Sequence, residues 1–148
     1  MNDAGLTTEN TEVTEERRRL NLLTESVIGA AIEVHRALGP GLLESTYEVC
    51  LCHELQLRGI TFQRQQPIAV RYKGVCLDCG YRADLIVEHS VLVELKAIEN
   101  LAAIHEAQLM SYLSLSNLPV GLLINFNVQL LKHGIKRRLA KTETPALS

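Results

Sequence analysis

Asp84, Glu94 and Lys96 are the residues whose types and spacing are best suited to chemistry. They lie in the run from Tyr81 to Ala97, which reads as two short strands joined by a turn. Side chains alternate along a strand, so Glu94 and Lys96 share a face. Whether Asp84 joins them depends on register. A two-residue turn at His89 and Ser90 pairs Leu85 with Glu94 and mixes carboxylates with leucines on one surface. A three-residue loop at Glu88, His89 and Ser90 instead pairs Val87 with Val91, Leu85 with Val93 and Asp84 with Glu94. Leu85, Val87, Val91, Val93 and Leu95 then form one apolar face, and Asp84, Glu94 and Lys96 gather on the other beside Ile86 and Leu92. Only this register keeps the faces consistent, so a three-residue or bulged loop is expected.

Two carboxylates facing each other across neighbouring strands repel. A hard divalent cation with oxygen ligands neutralises such a pair, and Lys96 can do part of the same work. The plainer alternative is a solvated Glu94–Lys96 ion pair on an exposed strand. Ile86 and Leu92 on the same face argue against simple exposure.

Around this pair the chain supplies an α/β frame. Residues 1–20 are polar and acidic with no sustained apolar period, which predicts a flexible arm. Val27, Ile28, Ala31, Ile32, Val34 and Leu38 recur at helical spacing, with Thr24 as the expected N-cap and Gly39-Pro40-Gly41 as the stop. A second helix is expected over about 43–58, closed by Gly59. Short β-rich runs follow at 61–64, 68–72 and 75–79, with a hairpin turn at Lys73-Gly74. After the strand pair a third helix opens near Asn100 and ends near Ser116-Asn117. Residues 120–125 form a continuous apolar run, as in a strand covered on both faces. Residues 127–131 read as a short helix or turn and 135–139 as an edge strand. This order (helix, helix, β-meander, helix, strand) predicts an α/β sandwich with a mixed central sheet flanked by helices. The expected division is an arm at 1–20, one domain at 21–141 and a flexible tail at 142–148.

Bulk composition adds little to this. The 148 residues, 47% hydrophobic and 22% charged, suit one ordinary globular domain. With aromatics at 4%, the core must rest on Leu, Ile, Val and Ala. A net charge of −2 gives no global attraction to nucleic acid, although Lys132, Lys136, Arg137, Arg138 and Lys141 load the C-terminal end. That basic end reads first as a charged, solvated edge strand and second as a phosphate-backbone contact. No apolar run reaches membrane-spanning length and the first residues do not resemble a signal peptide, so the expected compartment is the cytoplasm. Cys76 and Cys79 have C-x-x-C spacing, but Cys50 and Cys52 point about 200° apart on a helix and cannot share one ion. Free thiols are the expectation.

Asp84, nine intervening residues, then Glu94-Leu95-Lys96 resembles the split signature of the PD-(D/E)xK nuclease superfamily, with Ala83 where a proline often precedes the aspartate. Gly41-Leu-Leu-Glu44-Ser-Thr-Tyr47 resembles the signature of the bacterial GxxExxY proteins, a small family assigned to that superfamily. The similarity runs from about Leu22 to Leu139. It implies a restriction-endonuclease-like fold and a nuclease that hydrolyses phosphodiester bonds with Mg²⁺ or Mn²⁺. In that reading Asp84, Glu94 and the Leu95 carbonyl hold the ion, and Glu44 matches the helix glutamate that approaches the metal in many members. Lys96 orients or deprotonates the attacking water, or stabilises charge in the transition state. Gln108 and Tyr112 resemble the Q-x-x-x-Y motif of the exonuclease-like branch, so Gln108 positions the nucleophile or substrate. Tyr47 and Tyr112 either line the site or serve as amphipathic core tyrosines. The implied partner is nucleic acid, DNA ahead of RNA, with a homodimer as one assembly and no membrane. Two other functions compete: a catalytically inactive nuclease fold that binds nucleic acid, and a protein-interaction module with an incidental acidic cleft. The intact Asp84, Glu94 and Lys96 set favours catalysis.

Overall fold

A computed structural model of the protein describes residues 4–141. Helices α1 (Ala4–Leu38) and α2 (Glu44–Leu57) come first, then strands β1 (Phe62–Tyr72), β2 (Val75–Val87) and β3 (Val91–Lys96). Helix α3 (Ala103–Ser116) leads to β4 (Val120–Asn125), and a 3-10 turn at Leu131–Gly134 leads to β5 (Ile135–Leu139). The strands form one sheet in the order β1-β2-β3-β4-β5. β3 and β4 run parallel, which requires the crossover that α3 provides, and the other neighbours are antiparallel. This is the mixed, helix-flanked α/β sandwich expected from the order of elements.

Strand alternation explains the two layers. Leu85, Val87, Val91, Val93, Leu95, Leu122 and Ile124 point to one side and pack on Val27, Ala31, Leu51 and Leu55 of α1 and α2. Ile86, Leu92 and Leu123 point to the other and pack on Leu109, Tyr112 and Leu113 of α3. All six residues of β4 are buried, as its unbroken apolar run requires. Gly121 lets α3 settle closely on β4: a Cβ there would lie 2.8 Å from Leu109 Cδ1.

Several local expectations need correction. The stretch read as a flexible arm is helical from residue 4, and α1 is continuous through Thr24. Thr24 is therefore no N-cap; its buried hydroxyl donates to Asn21 O one turn back, at 3.0 Å. Glu and Arg are good helix formers without any apolar period, and Glu16 pairs with Arg19 at 2.8 Å. Leu20 is buried and Arg19 also donates to Ser90 Oγ, so the segment is tied to the domain before residue 21. The tail at 142–148 lies outside the described residues. β1 is one strand where two runs were expected, and β2 passes unbroken through Gly80. α3 starts at Ala103 rather than Asn100, with His105 Nδ1 accepting the Ala102 N–H at 2.8 Å. The His35 Nε2 donates to the distant Val128 O at 2.7 Å. Among the described residues no helix is long and apolar enough to cross a membrane.

Candidate metal centre

The β2–β3 ladder consists of Val87–Val91, Ile86–Leu92 and Leu85–Val93. This is the register of the three-residue loop, in which Glu88 and His89 both adopt positive φ and Ser90 N–H returns to Val87 O at 2.9 Å. Beyond Leu85 and Val93 the strands fork, and two carboxylates take over from the ladder. The Asp84 N–H donates to Glu94 Oε1 at 3.0 Å, and the Leu95 N–H donates to Asp84 Oδ2 at 2.7 Å. The same backbone that carries the acidic side chains thus fixes them.

The alternation of β2 breaks at this point. Ala83 and Ile86, three residues apart, both join the α3-side core, while Leu85 joins the α1–α2 side. Asp84 sits at the phase change and can meet groups from both layers. On the facing strand Gln65 adopts φ 49°, a left-handed conformation that costs a non-glycine residue about 1–2 kcal/mol. Its amide nitrogen donates to Asp84 Oδ1 at 3.3 Å and to Glu48 Oε1 at 2.8 Å. Arg64 clamps the second Glu48 oxygen through Nη2 at 2.7 Å and Nε at 3.0 Å. α2 presents Glu44 one helical turn before Glu48, on the same stripe.

Charge in the fork is poorly balanced. Arg64 compensates Glu48, but the cation acting on Glu44, Asp84 and Glu94 is Lys96. Burial pushes the Glu94 carboxyl up to about 8, and the neighbouring Asp84 charge adds to it. Burial also raises Asp84, against the opposing pull of the Leu95 N–H. Glu44, on the rim, is raised by partial burial and lowered by Lys96. The Lys96 ammonium makes none of the close ion pairs among the described residues. It lines a groove with Gln108 and Tyr112 on the α3 side.

These residues fit a hard divalent cation. Glu94 is buried beside Asp84, and its second oxygen, which has no hydrogen-bond donor among the described residues, keeps contact with solvent. Proton uptake or a cation relieves that arrangement. Among the described residues no three His, Cys, Asp or Glu side chains stand close enough to enclose a metal on their own. A cation here would therefore rest on Asp84, Glu94, a backbone oxygen and water, a donor set typical of Mg²⁺. Leu95 can offer only its backbone, since its side chain is in the opposite core.

The remaining candidates separate by location. Gln108 Nε2 donates to the Tyr112 hydroxyl at 3.1 Å, and the Glu94 charge reaches that tyrosine. Both therefore stand with Lys96. Tyr47 does not line the site. It is fully buried, stacks on Phe126 with centroids 4.4 Å apart, accepts the Leu42 N–H and donates to Gly39 O. The Gly41, Glu44 and Tyr47 spacing acquires a physical account from this. Gly41 turns the chain at φ 98°, Tyr47 locks that turn, and Glu44 is delivered to the fork at the first residue of α2.

Sequence reasoning missed Glu48, Gln65, Arg64 and Asn125. Glu48 was findable, as a second glutamate four residues after Glu44 on a helix that faces the sheet. Gln65 and Arg64 were not, because their role depends on the irregularity of β1. Asn125 ends β4 opposite Lys96, and its amide exchanges two hydrogen bonds with Ile98 at 2.9 and 3.0 Å, fixing the exit from β3. The four cysteines are free, and those of the C-x-x-C are exposed on the β1–β2 ribbon.

No curated protein and no solved structure matches the chain. The family model described as PD-(D/E)XK nuclease superfamily matches residues 21–138, which spans both cores and every residue of the fork. The chain belongs to the PD-(D/E)XK nuclease superfamily.

Proposed function

We propose that the protein is a Mg²⁺- or Mn²⁺-dependent nuclease that hydrolyses phosphodiester bonds, and that it is one of the GxxExxY proteins within its superfamily. The observation that carries this reading is the fork itself: a buried carboxylate, Glu94, and a half-buried one, Asp84, each anchored by a backbone N–H of the other strand, with Lys96 next along β3. Asp84, Glu94 and the Leu95 carbonyl would hold the ion, with Glu44 at the rim. When bound, the ion supplies a water of lowered pKa and a clamp for a phosphate oxygen.

The protein's own groups do the positioning. Gln65 and the Leu95 N–H hold the Asp84 carboxylate, and Arg64 with Gln65 keeps Glu48 from competing with it. Lys96, which has no close anionic partner among the described residues, supplies positive charge to the transition state or orients the attacking water. Gln108, tethered to Tyr112, aligns the water or the substrate backbone from the α3 side. The GxxExxY membership rests on the work divided among Gly41, Glu44 and Tyr47.

Cleavage of labelled DNA and RNA, single- and double-stranded, tests the reading. Hydrolysis is expected with Mg²⁺ or Mn²⁺, none with EDTA, and none by Asp84→Ala. Cleavage that survives in purified Asp84→Ala rules the assignment out.

A further inference from the structure

Tyr81 of β2, Lys96 of β3 and one face of α3 enclose a groove of about 590 Å³, within the usual range of small-molecule sites. Lys96 lies in it, and its walls include Tyr81, Tyr112, Ile104, Gln108 and Leu115. The walls are unusually apolar for open surface: Tyr81 is 45% and Ile104 70% exposed. Tyr81 is held there by a bulge. Leu77 pairs with Val70 and Tyr81 with Ile68, so residues 78–80 of β2 face Ala69 alone. Asp78 Oδ1 closes the bulge by accepting the Gly80 N–H at 2.9 Å, with Gly80 at φ 82°. Bulges of this kind re-aim side chains. Here the Tyr81 ring lies against Tyr112, centroids 5.8 Å apart and planes inclined by 59°.

A ligand suited to this groove has a flat apolar body and an anionic group that reaches Lys96, whose ammonium has no close carboxylate partner among the described residues. A nucleotide has both. Its base is free to enter only when unpaired, because duplex bases are already stacked and turned inward. We propose that Tyr81 is the stacking platform for an unpaired nucleobase, so that the substrate is single-stranded nucleic acid whose adjoining phosphate is delivered to Lys96. This rests on the phosphodiesterase reading of the same site and specifies its substrate class.

The test uses the full chain in Ca²⁺, without Mg²⁺ or Mn²⁺, and a short oligonucleotide carrying 2-aminopurine, either single-stranded or annealed to its complement. The single strand should bind with quenching of the probe, and the duplex at least tenfold more weakly. Tyr81→Ala should weaken single-strand binding by roughly tenfold and remove the quenching, whereas Tyr81→Phe keeps both. Equal binding by Tyr81→Ala, equal binding of duplex, or no binding of the single strand overturns the proposal. Cleavage in Mn²⁺ is scored separately. Quenching that depends on Tyr81 without cleavage would sink the nuclease reading alone, and cleavage indifferent to Tyr81→Ala would sink the stacking proposal alone.

Discussion

Glu94→Gln is expected to lower metal-dependent cleavage by about a thousandfold or more while raising the thermal midpoint of the metal-free protein. The two effects have one cause. Glu94 is buried beside Asp84 and its carboxyl is pushed up to about 8, so its charged form is disfavoured in the fold. Glutamine keeps the shape and the oxygen that accepts the Asp84 N–H, but removes the charge. At pH 8 the relief is on the order of a few kcal/mol, enough to raise the midpoint of a domain this size by several degrees. In the proposed nuclease the same exchange would remove a metal ligand from a centre that contributes several kcal/mol of transition-state stabilisation, hence the large expected loss of rate. Melting curves in EDTA and cleavage rates in Mn²⁺ check both arms. A variant that is inactive because it is less stable than the wild type would contradict this account.

A second large effect concerns pH. Because the folded carboxyl of Glu94 titrates near 8 and its ordinary value is 4.5, the native state holds a proton that the unfolded chain has released across that window. Stability therefore falls as pH rises from about 4.5 to about 8, then levels. The upward shifts of Asp84 and Glu44 act in the same direction. A bound divalent cation displaces the proton, so Mn²⁺ affinity should climb over the same range. The check is the difference in thermal midpoint between wild type and Glu94→Gln from pH 5.5 to 8.5 in EDTA. It should widen with pH and collapse when Mn²⁺ is added. A difference that stays constant would show that Glu94 is not the titrating group.

Much of this geometry was legible in the residues because alternation and burial leave few choices. The register of β2 against β3 followed from keeping Leu85, Val87, Val91 and Val93 on one face, and the ladder has those partners. The burial of β4 on both faces followed from its continuous apolar run, and all six of its residues are buried. The limits are equally physical. Periodicity cannot show that a polar helix persists, so α1 extends well before Thr24. Nor can it show where alternation slips. A simple strand would have placed Asp84 wholly on the α3 side, but the phase change at Asp84 and the left-handed Gln65 open it to Glu48. Tyr47 illustrates a different limit: an amphipathic side chain at motif spacing reads equally well as site or core, and only its stacking on Phe126 decides for core.

On the proposed reading, Asp84 and Glu94 together seat one divalent cation. Calorimetric titration of Mn²⁺ into wild type and Asp84→Asn at pH 8 tests it most directly. One site per chain in the wild type and none in Asp84→Asn is the predicted result. Equal binding by the two proteins, or no saturable site in the wild type, would contradict it.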